Sequence, residues 1–308
     1  MGRREKLYQP KKLMYTSGLP MSLDPSKDIL RLDKLISSSR LSPRAFRAFV
    51  RSFYRRHGRS FPWRDTRDPY RILVSEIMLQ QTQTDRVKPK YRAFMREFPT
   101  WRALASASTQ DVMRAWQGLG YYRRAFNLHR AAQSVQNDHG GKLPADVEVI
   151  RGLPGVGAYT AGAVAAFAFG IASPIIETNI RSVYLYAFFP RRRRVSDSDL
   201  MQLIEQTLDR ASPREWYYAL MDLGSELKKQ HRGINARSKH HTKQSSYEGS
   251  NRQARAAILR ALAHRGPLTE LSLRRELGME PQRIARAISG LLDEGLVRQP
   301  GRGRLSLP

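Results

Sequence analysis

The chain has no cysteine in its 308 residues. That excludes disulfides, thiol nucleophiles, zinc–thiolate centres and cysteine-ligated iron–sulfur clusters, so any chemistry must come from oxygen and nitrogen groups. Acidic residues are the second shortage: 27 Asp and Glu stand against 54 Lys and Arg, a formal net charge of +27. The basic residues recur along the whole length instead of forming one tail, so a polyanion is the expected counter-charge. No apolar run approaches the roughly 18 residues that a membrane-spanning helix needs, and the opening "MGRREKLYQPKK" lacks an apolar signal core. A cytoplasmic protein without a membrane partner is expected. Alternating apolar and polar residues, the mark of strands, are almost absent before the C-terminal end, which excludes a sheet-based body.

What is present is helical patterning, with enough apolar residues for a core and enough length for two domains. Residues 1–40 mix Lys, Arg, Pro, Ser and Gly without sustained periodicity, and predict a loose, disordered basic arm. From Ser42 the chain reads as all-α. "SPRAFRAFVRSFYRRHG" has Ser42 as cap, Pro43 at the first helical position and Gly58 as stop. "FPWRDTRDPY" follows as a loop, and "RILVSEIMLQQTQTDRV" predicts a helix resuming near Tyr70. "TQDVMRAWQGLGYYRRAFNLHRAAQSVQNDHGG" holds two more helices, broken at "GLG" and closed by Gly140 and Gly141. Residues 232–250 are polar, basic and aperiodic, a linker or surface loop between a body at 41–231 and a last unit at 251–308. That unit reads as three helices and a basic hairpin turned by Pro300-Gly301, either a winged-helix-like domain or a small dimerisation or packing domain of the same topology.

The stretch "RGLPGVGAYTAG" sets glycines at 152, 155, 157 and 162 around one proline, immediately before a small-residue helix. A glycine-rich turn that opens a helix presents backbone N–H groups, and the positive end of the helix dipole, to an anion. With "ADVEVIRGL" as a preceding helix this is a helix–hairpin–helix, a clamp for the DNA backbone, with Leu153, Gly155, Val156 and Gly157 as its binding residues.

"FPWRDTRDPYRILVSEIMLQQTQ", "GLGYYRRAFNLHRAA", "LPGVGAYTAGAVAAFAFG" and "MDLG", in this order over residues 61–224, resemble the helix–hairpin–helix DNA glycosylase superfamily and, within it, the adenine DNA glycosylase branch. The resemblance implies a fold of two helical subdomains and an enzyme that extrudes a nucleotide and cleaves its glycosidic bond. It assigns to Glu76 the protonation of adenine. That role needs a carboxyl still partly protonated near neutrality, which the apolar neighbours in "ILVSEIML" can arrange; the alternative is that Glu76, Gln80 and Gln83 form the solvated stripe of one helix. The second family carboxylate is an aspartate that stabilises the positive sugar or captures its anomeric carbon. Here Glu177 stands at that place, one methylene longer, and a displacement of about 1 Å can cost roughly a hundredfold in rate; the alternative is a carboxylate that stabilises a helix N-terminus. Asn179 matches the asparagine that holds this carboxylate. Tyr159 stands where bifunctional relatives resembling endonuclease III carry a Schiff-base lysine, so the resemblance implies a monofunctional enzyme without lyase activity. Gln80, Gln81, Gln83 and Tyr121 match residues that fill the vacated stack and contact the opposite strand.

Two departures from the family follow. Its iron–sulfur ligands would fall at Lys228, Asn235, Ser238 and Gln244, so no cofactor and no metal are expected; Lys228, Lys229, Arg232, Arg237, Lys239 and Lys243 make that loop a basic DNA-contacting surface or a solvated charge run. The segment after Ser250 is too short for the Nudix-like domain that recognises 8-oxoguanine in relatives. The expected protein is a nucleoid-associated monomer acting on double-stranded DNA with a mismatched or damaged base, and removing adenine opposite guanine or 8-oxoguanine. Thymine or uracil mispaired with guanine is the alternative target, and a catalytically silent DNA-binding protein the alternative class.

Overall fold

Asp24 starts the first helix by accepting a hydrogen bond from the backbone N–H of Ser26 at 2.9 Å, with Pro25 at the first helical position. In this computed structural model, residues 24–240, 246–301 and 303–308 are described. The first part of the expected basic arm lies outside them. The rest of it is not loose: α1 (Pro25–Ser37) buries Ile29 and Leu32. Asp28 fixes it to the next helix, accepting from Arg56 Nη2 at 2.7 Å and contacting His57 Nε2 at 2.8 Å. Polar anchoring of a short apolar stripe explains why periodicity alone does not predict this helix.

Ser42 caps α2 (Pro43–His57) through the N–H of Ala45, and Asp68 caps α3 (Pro69–Leu79) through the N–H of Tyr70. The helix expected to run on through "QQTQTDRV" instead breaks at residues 80–83 and resumes as α4 (Thr84–Glu97). The cause is Arg124, whose guanidinium takes the carbonyls of Ile77 and Met78 at 2.9 and 3.0 Å and that of Gln80 as well. It thereby satisfies the acceptors that a terminating helix leaves open. There follow α5 (Trp101–Ala105), α6 (Thr109–Ala115), α7 (Arg123–Asp138), α8 (Val147–Gly152) and α9 (Ala158–Val164). A π-helical turn, Ala165–Phe169, extends α9 until Gly170 stops it. Then come α10 (Thr178–Phe188), α11 (Asp197–Thr207) and α12 (Pro213–Gln230).

These helices form two subdomains. Helices α3 to α9 pack on one another, while α1 and α2 return to join α10, α11 and α12. Phe46 of α2 meets Tyr184 of α10 and Trp216 of α12 edge-on, with centroids 5.4 and 5.9 Å apart, at the heart of the second subdomain. Burial of each such ring is worth about 1.5–3 kcal/mol. Gly224 of α12 allows the closest crossing, since a Cβ there would stand 2.1 Å from the carbonyl oxygen of Asn179 on α10.

The C-terminal unit has the winged-helix topology. Helices α13 (Asn251–Arg265), α14 (Glu270–Leu277) and α15 (Pro281–Asp293) accompany strands β1 (Leu268–Thr269), β2 (Arg298–Gly301) and β3 (Arg304–Ser306). The strands form an antiparallel sheet of order β1-β3-β2, with Leu268 opposite Leu305. Pro300 lies within edge strand β2, where a missing N–H is tolerated, so the hairpin reverses after it rather than at it. The unit docks on the first subdomain: Gln110 Nε2 donates to the carbonyl of Ala263 at 2.9 Å, and His264 Nε2 lies 3.1 Å from Gln117 Oε1.

Candidate active site

Glu76 lies towards the end of α3, only 5% exposed, with Leu73, Val74 and Ile77 buried around it. Its Oε2 accepts a hydrogen bond from the hydroxyl of Tyr159, on α9, at 2.9 Å. Burial pushes the Glu76 carboxyl up to about 7; the nearby Glu177 charge adds to the rise, while the Tyr159 hydroxyl and Arg64 oppose it. A buried acid that keeps its proton near neutrality can give it to a base.

Glu177 comes from the other subdomain. It caps α10, its Oε1 accepting from the N–H groups of Asn179 and Ile180 at 2.8 Å each, and its Oε2 from Asn179 Nδ2 at 3.1 Å. Desolvation raises its pKa, against these bonds and the Lys228 ammonium. The helix-capping alternative raised by the sequence therefore describes its contacts, and it still borders the same space as Glu76. That space is a cavity of about 440 Å³ lined by Glu76, Tyr159, Glu177, Asn179, Arg64 and Tyr218, in the range of small-molecule sites.

The solvated-stripe alternative fails on geometry. Glu76 is buried within α3, Gln80 lies past the helix end with its Nε2 3.3 Å from Thr160 Oγ1, and Gln83 is the exposed residue preceding α4. The three do not share a helix face. Gln81 is exposed, with a left-handed φ of 54°. Tyr121 is also left-handed, at 47°, and its hydroxyl accepts from Arg252 Nη1. In the hairpin, Leu153 and Val156 turn their side chains into the core, whereas Gly155 and Gly157 are exposed. At these four positions the hairpin offers backbone groups, not side chains, to a ligand. Gly155 is required by its φ of 77° and by Asn127, whose Cβ lies 2.6 Å from where an added Cβ would sit.

The model of the HhH-GPD superfamily base excision DNA repair protein matches residues 74–207. An adenine DNA glycosylase of Mycobacterium tuberculosis is 35% identical over 278 residues, covering 83% of this chain and 91% of the relative. The chain belongs to the helix–hairpin–helix DNA glycosylase superfamily, in its adenine DNA glycosylase branch. The adenine DNA glycosylase of Mycolicibacterium smegmatis is 34% identical over 275 residues, covering 83% and 94% of the two chains. The solved structure of a thermostable thymine-DNA glycosylase superposes with a TM-score of 0.54 at 27% identity, covering 63% of this chain and 94% of that one.

The family's cluster site is remade here with groups that do not fit one. Of the four positions expected to replace its cysteines, Asn235 accepts from Ser182 Oγ at 3.0 Å, and Ser238 joins Val195 in a β-bridge. Lys228 is half-buried on α12 and acts on Glu177, while Gln244 lies outside the described residues. None supplies a thiolate, and among the described residues no cluster of His, Asp and Glu could hold a metal ion. As far as residue 240 the segment is a tied loop more than a linker: Ile234 is buried, and Arg237 Nη1 donates to the carbonyls of Phe189 and Pro190 at 2.9 and 2.8 Å. Of the basic residues expected there for DNA, Arg237 thus has partners within the protein, and so does Lys229, paired with Glu226 at 3.0 Å. Lys243 lies outside the described residues.

Other residues of the site are not singled out by the sequence reading. Arg64 bonds Asp222 through both terminal nitrogens at 2.8 and 2.9 Å, and its guanidinium lies 4.3 Å over the ring of Tyr218. An aspartate inside the apolar "MDLG" is the signal that points to such a buried pair. Arg124, which holds the end of α3 beside the site, offers no comparable signal, because its partners are mostly backbone carbonyls of other elements. Among the described residues no helix is long and apolar enough to cross a membrane.

Proposed function

We propose that the protein is a monofunctional base excision repair glycosylase that binds double-stranded DNA as a monomer and hydrolyses the bond between deoxyribose and an adenine mispaired with guanine or 8-oxoguanine. The observation that carries this is the buried Glu76, its pKa raised towards neutrality by burial and its carboxylate held by Tyr159, in a cavity completed by Glu177, all within one chain of the adenine glycosylase branch.

Adenine enters the 440 Å³ cavity as an extruded base. Glu76 gives its proton to a ring nitrogen, the glycosidic bond breaks with its electron pair going to the base, and the sugar is left as an oxocarbenium ion. Glu177, whose oxygens already accept three hydrogen bonds, suits electrostatic stabilisation of that cation better than attack on it. Water adds to the anomeric carbon and releases a proton, and Glu76 is reprotonated for the next turnover. Tyr159 has no amine with which to open the sugar, which supports the absence of lyase activity. The exposed amides of Gly155 and Gly157 take a phosphate, while Gln80, Gln81, Gln83 and Tyr121 serve the duplex around the gap. The domain division is that of the sequence, with the catalytic unit extended back to Asp24 because α1 packs on α2.

The likeness to the thymine-DNA glycosylase structure favours one second reading, excision of thymine mispaired with guanine. Single-turnover assays on duplexes carrying adenine opposite guanine or 8-oxoguanine, and thymine or uracil opposite guanine, separate the two. Excision confined to thymine or uracil would overturn the adenine assignment. Trapping of a covalent protein–DNA adduct by borohydride would overturn the monofunctional one.

A further inference from the structure

A second cleft, of about 580 Å³, adjoins the Glu76 cavity, and Gln80 and Gln81 line both. One side of this cleft is built from the catalytic body, by Tyr121 and Arg124; the other is built from the C-terminal unit, by Arg252 and Arg255 of α13. When one base of a pair swings into the Glu76 cavity, its partner stays in the duplex directly across the vacated position. The family resemblance assigns the shared residues Gln80 and Gln81 to that vacated position, which sets the cleft on their far side beside the partner.

The cleft is held in shape at some cost. Gln81 and Tyr121 keep left-handed backbones, φ 54° and 47°, which residues other than glycine adopt only when their surroundings impose it. Arg124 imposes it, bonding the carbonyls of Leu119 and Gly120 at 3.1 and 3.2 Å as well as those at the end of α3. Arg252 reaches over from α13, donates to the Tyr121 hydroxyl, and stacks 5.4 Å from the Tyr121 centroid and 5.7 Å from that of Tyr247. Arg255 is tied to Glu294 at 2.6 Å. The guanidinium fork matches the adjacent O6 and N7 acceptors of guanine, whereas cytosine presents an amino donor at its corresponding edge.

We propose that Arg252, a residue of the winged-helix unit that borders this cleft, is a specificity-determining residue that recognises the O6 edge of a guanine-type purine left opposite the extruded adenine. The proposal rests on the glycosylase reading of the Glu76 cavity.

The test uses the full chain and its Arg252→Ala and Arg252→Lys variants. Binding is measured to duplexes in which a tetrahydrofuran abasic analogue faces guanine, cytosine or 2-aminopurine, which keeps N7 and lacks O6. Adenine excision opposite guanine and 2-aminopurine is measured alongside. The unmodified protein is expected to prefer guanine by about 5- to 150-fold, the worth of one good base contact. Arg252→Ala should bring that ratio close to one. Arg252→Lys, a point charge without the fork, should also lose most of the preference while staying folded, and decides the matter if the alanine variant melts early. Equal weakening on all duplexes, or an unchanged ratio, would make Arg252 a structural residue and overturn the proposal. Absence of adenine excision with the binding preference intact would instead remove the catalytic reading and leave the recognition site standing.

Discussion

The hydroxyl of Tyr159 lies 2.9 Å from Oε2 of Glu76, so the acid and its partner are joined between α3 and α9, two packed helices of the first subdomain. The bond favours the ionised form of Glu76, while burial favours the protonated form and prevails. Single-turnover excision should therefore fall with rising pH above about 7, as the acid loses its proton. Tyr159→Phe removes a donor to the carboxylate, so it should move this limb to higher pH while lowering the maximum rate. A limb unmoved or shifted to lower pH in the variant would show that Tyr159 does not act on Glu76.

The same raised pKa has a stability consequence. Below about 4.5 Glu76 is protonated in both folded and unfolded chains; between about 4.5 and 7 the unfolded chain has released this proton and the folded one has not. Stability from this group is present at low pH and lost as pH rises through that window. The loss is on the order of 3 kcal/mol at most. Glu76→Gln has no such proton to lose, so its Tm relative to the unmodified protein should climb from pH 4.5 to 7 and then level off.

Gly224→Ala should act on Glu177 from the far side of α10. The added Cβ would fall 2.1 Å from the Asn179 carbonyl oxygen, forcing the start of α10 outward and Glu177 with it. Displacement of a catalytic group by about 1 Å is expected to cost about a hundredfold in the excision rate. Binding to duplex DNA, measured in parallel, should change far less, since the hairpin lies on other helices.

Arg124→Ala should destabilise the fold by about 3 kcal/mol or more, because buried carbonyls at the end of α3 and in the 119–120 turn lose their donor together. Urea denaturation measures that cost. The left-handed residues Gln81 and Tyr121 depend on the same guanidinium, so duplex binding should weaken beyond what the lower stability explains.

These cases also show what a sequence can carry. Ser42 and Pro43 announce α2 because a cap and its helix are neighbours in the chain. The glycine-rich hairpin and the apolar run around Glu76 are local in the same way; Tyr159, Glu177 and Asn179 are named through family resemblance, and Arg64 and Tyr218, which line the same 440 Å³ cavity, carry no such mark. The break after Leu79 cannot, since Arg124 causes it from α7. Helix α1 depends on Asp28 finding Arg56 and His57. The bond between Arg252 and Tyr121 depends on how the winged unit docks. Legibility ends where a contact is made by packing and not by spacing.

The most direct test of the central claim is single-turnover excision by Glu76→Gln, beside the unmodified protein, on a duplex carrying adenine opposite 8-oxoguanine, read as strand breakage with and without hot alkali. The unmodified protein should break the strand only after alkali, and the variant should bind the duplex as tightly but release no adenine. Excision by the variant at the unmodified rate would contradict the assignment of Glu76 as the acid.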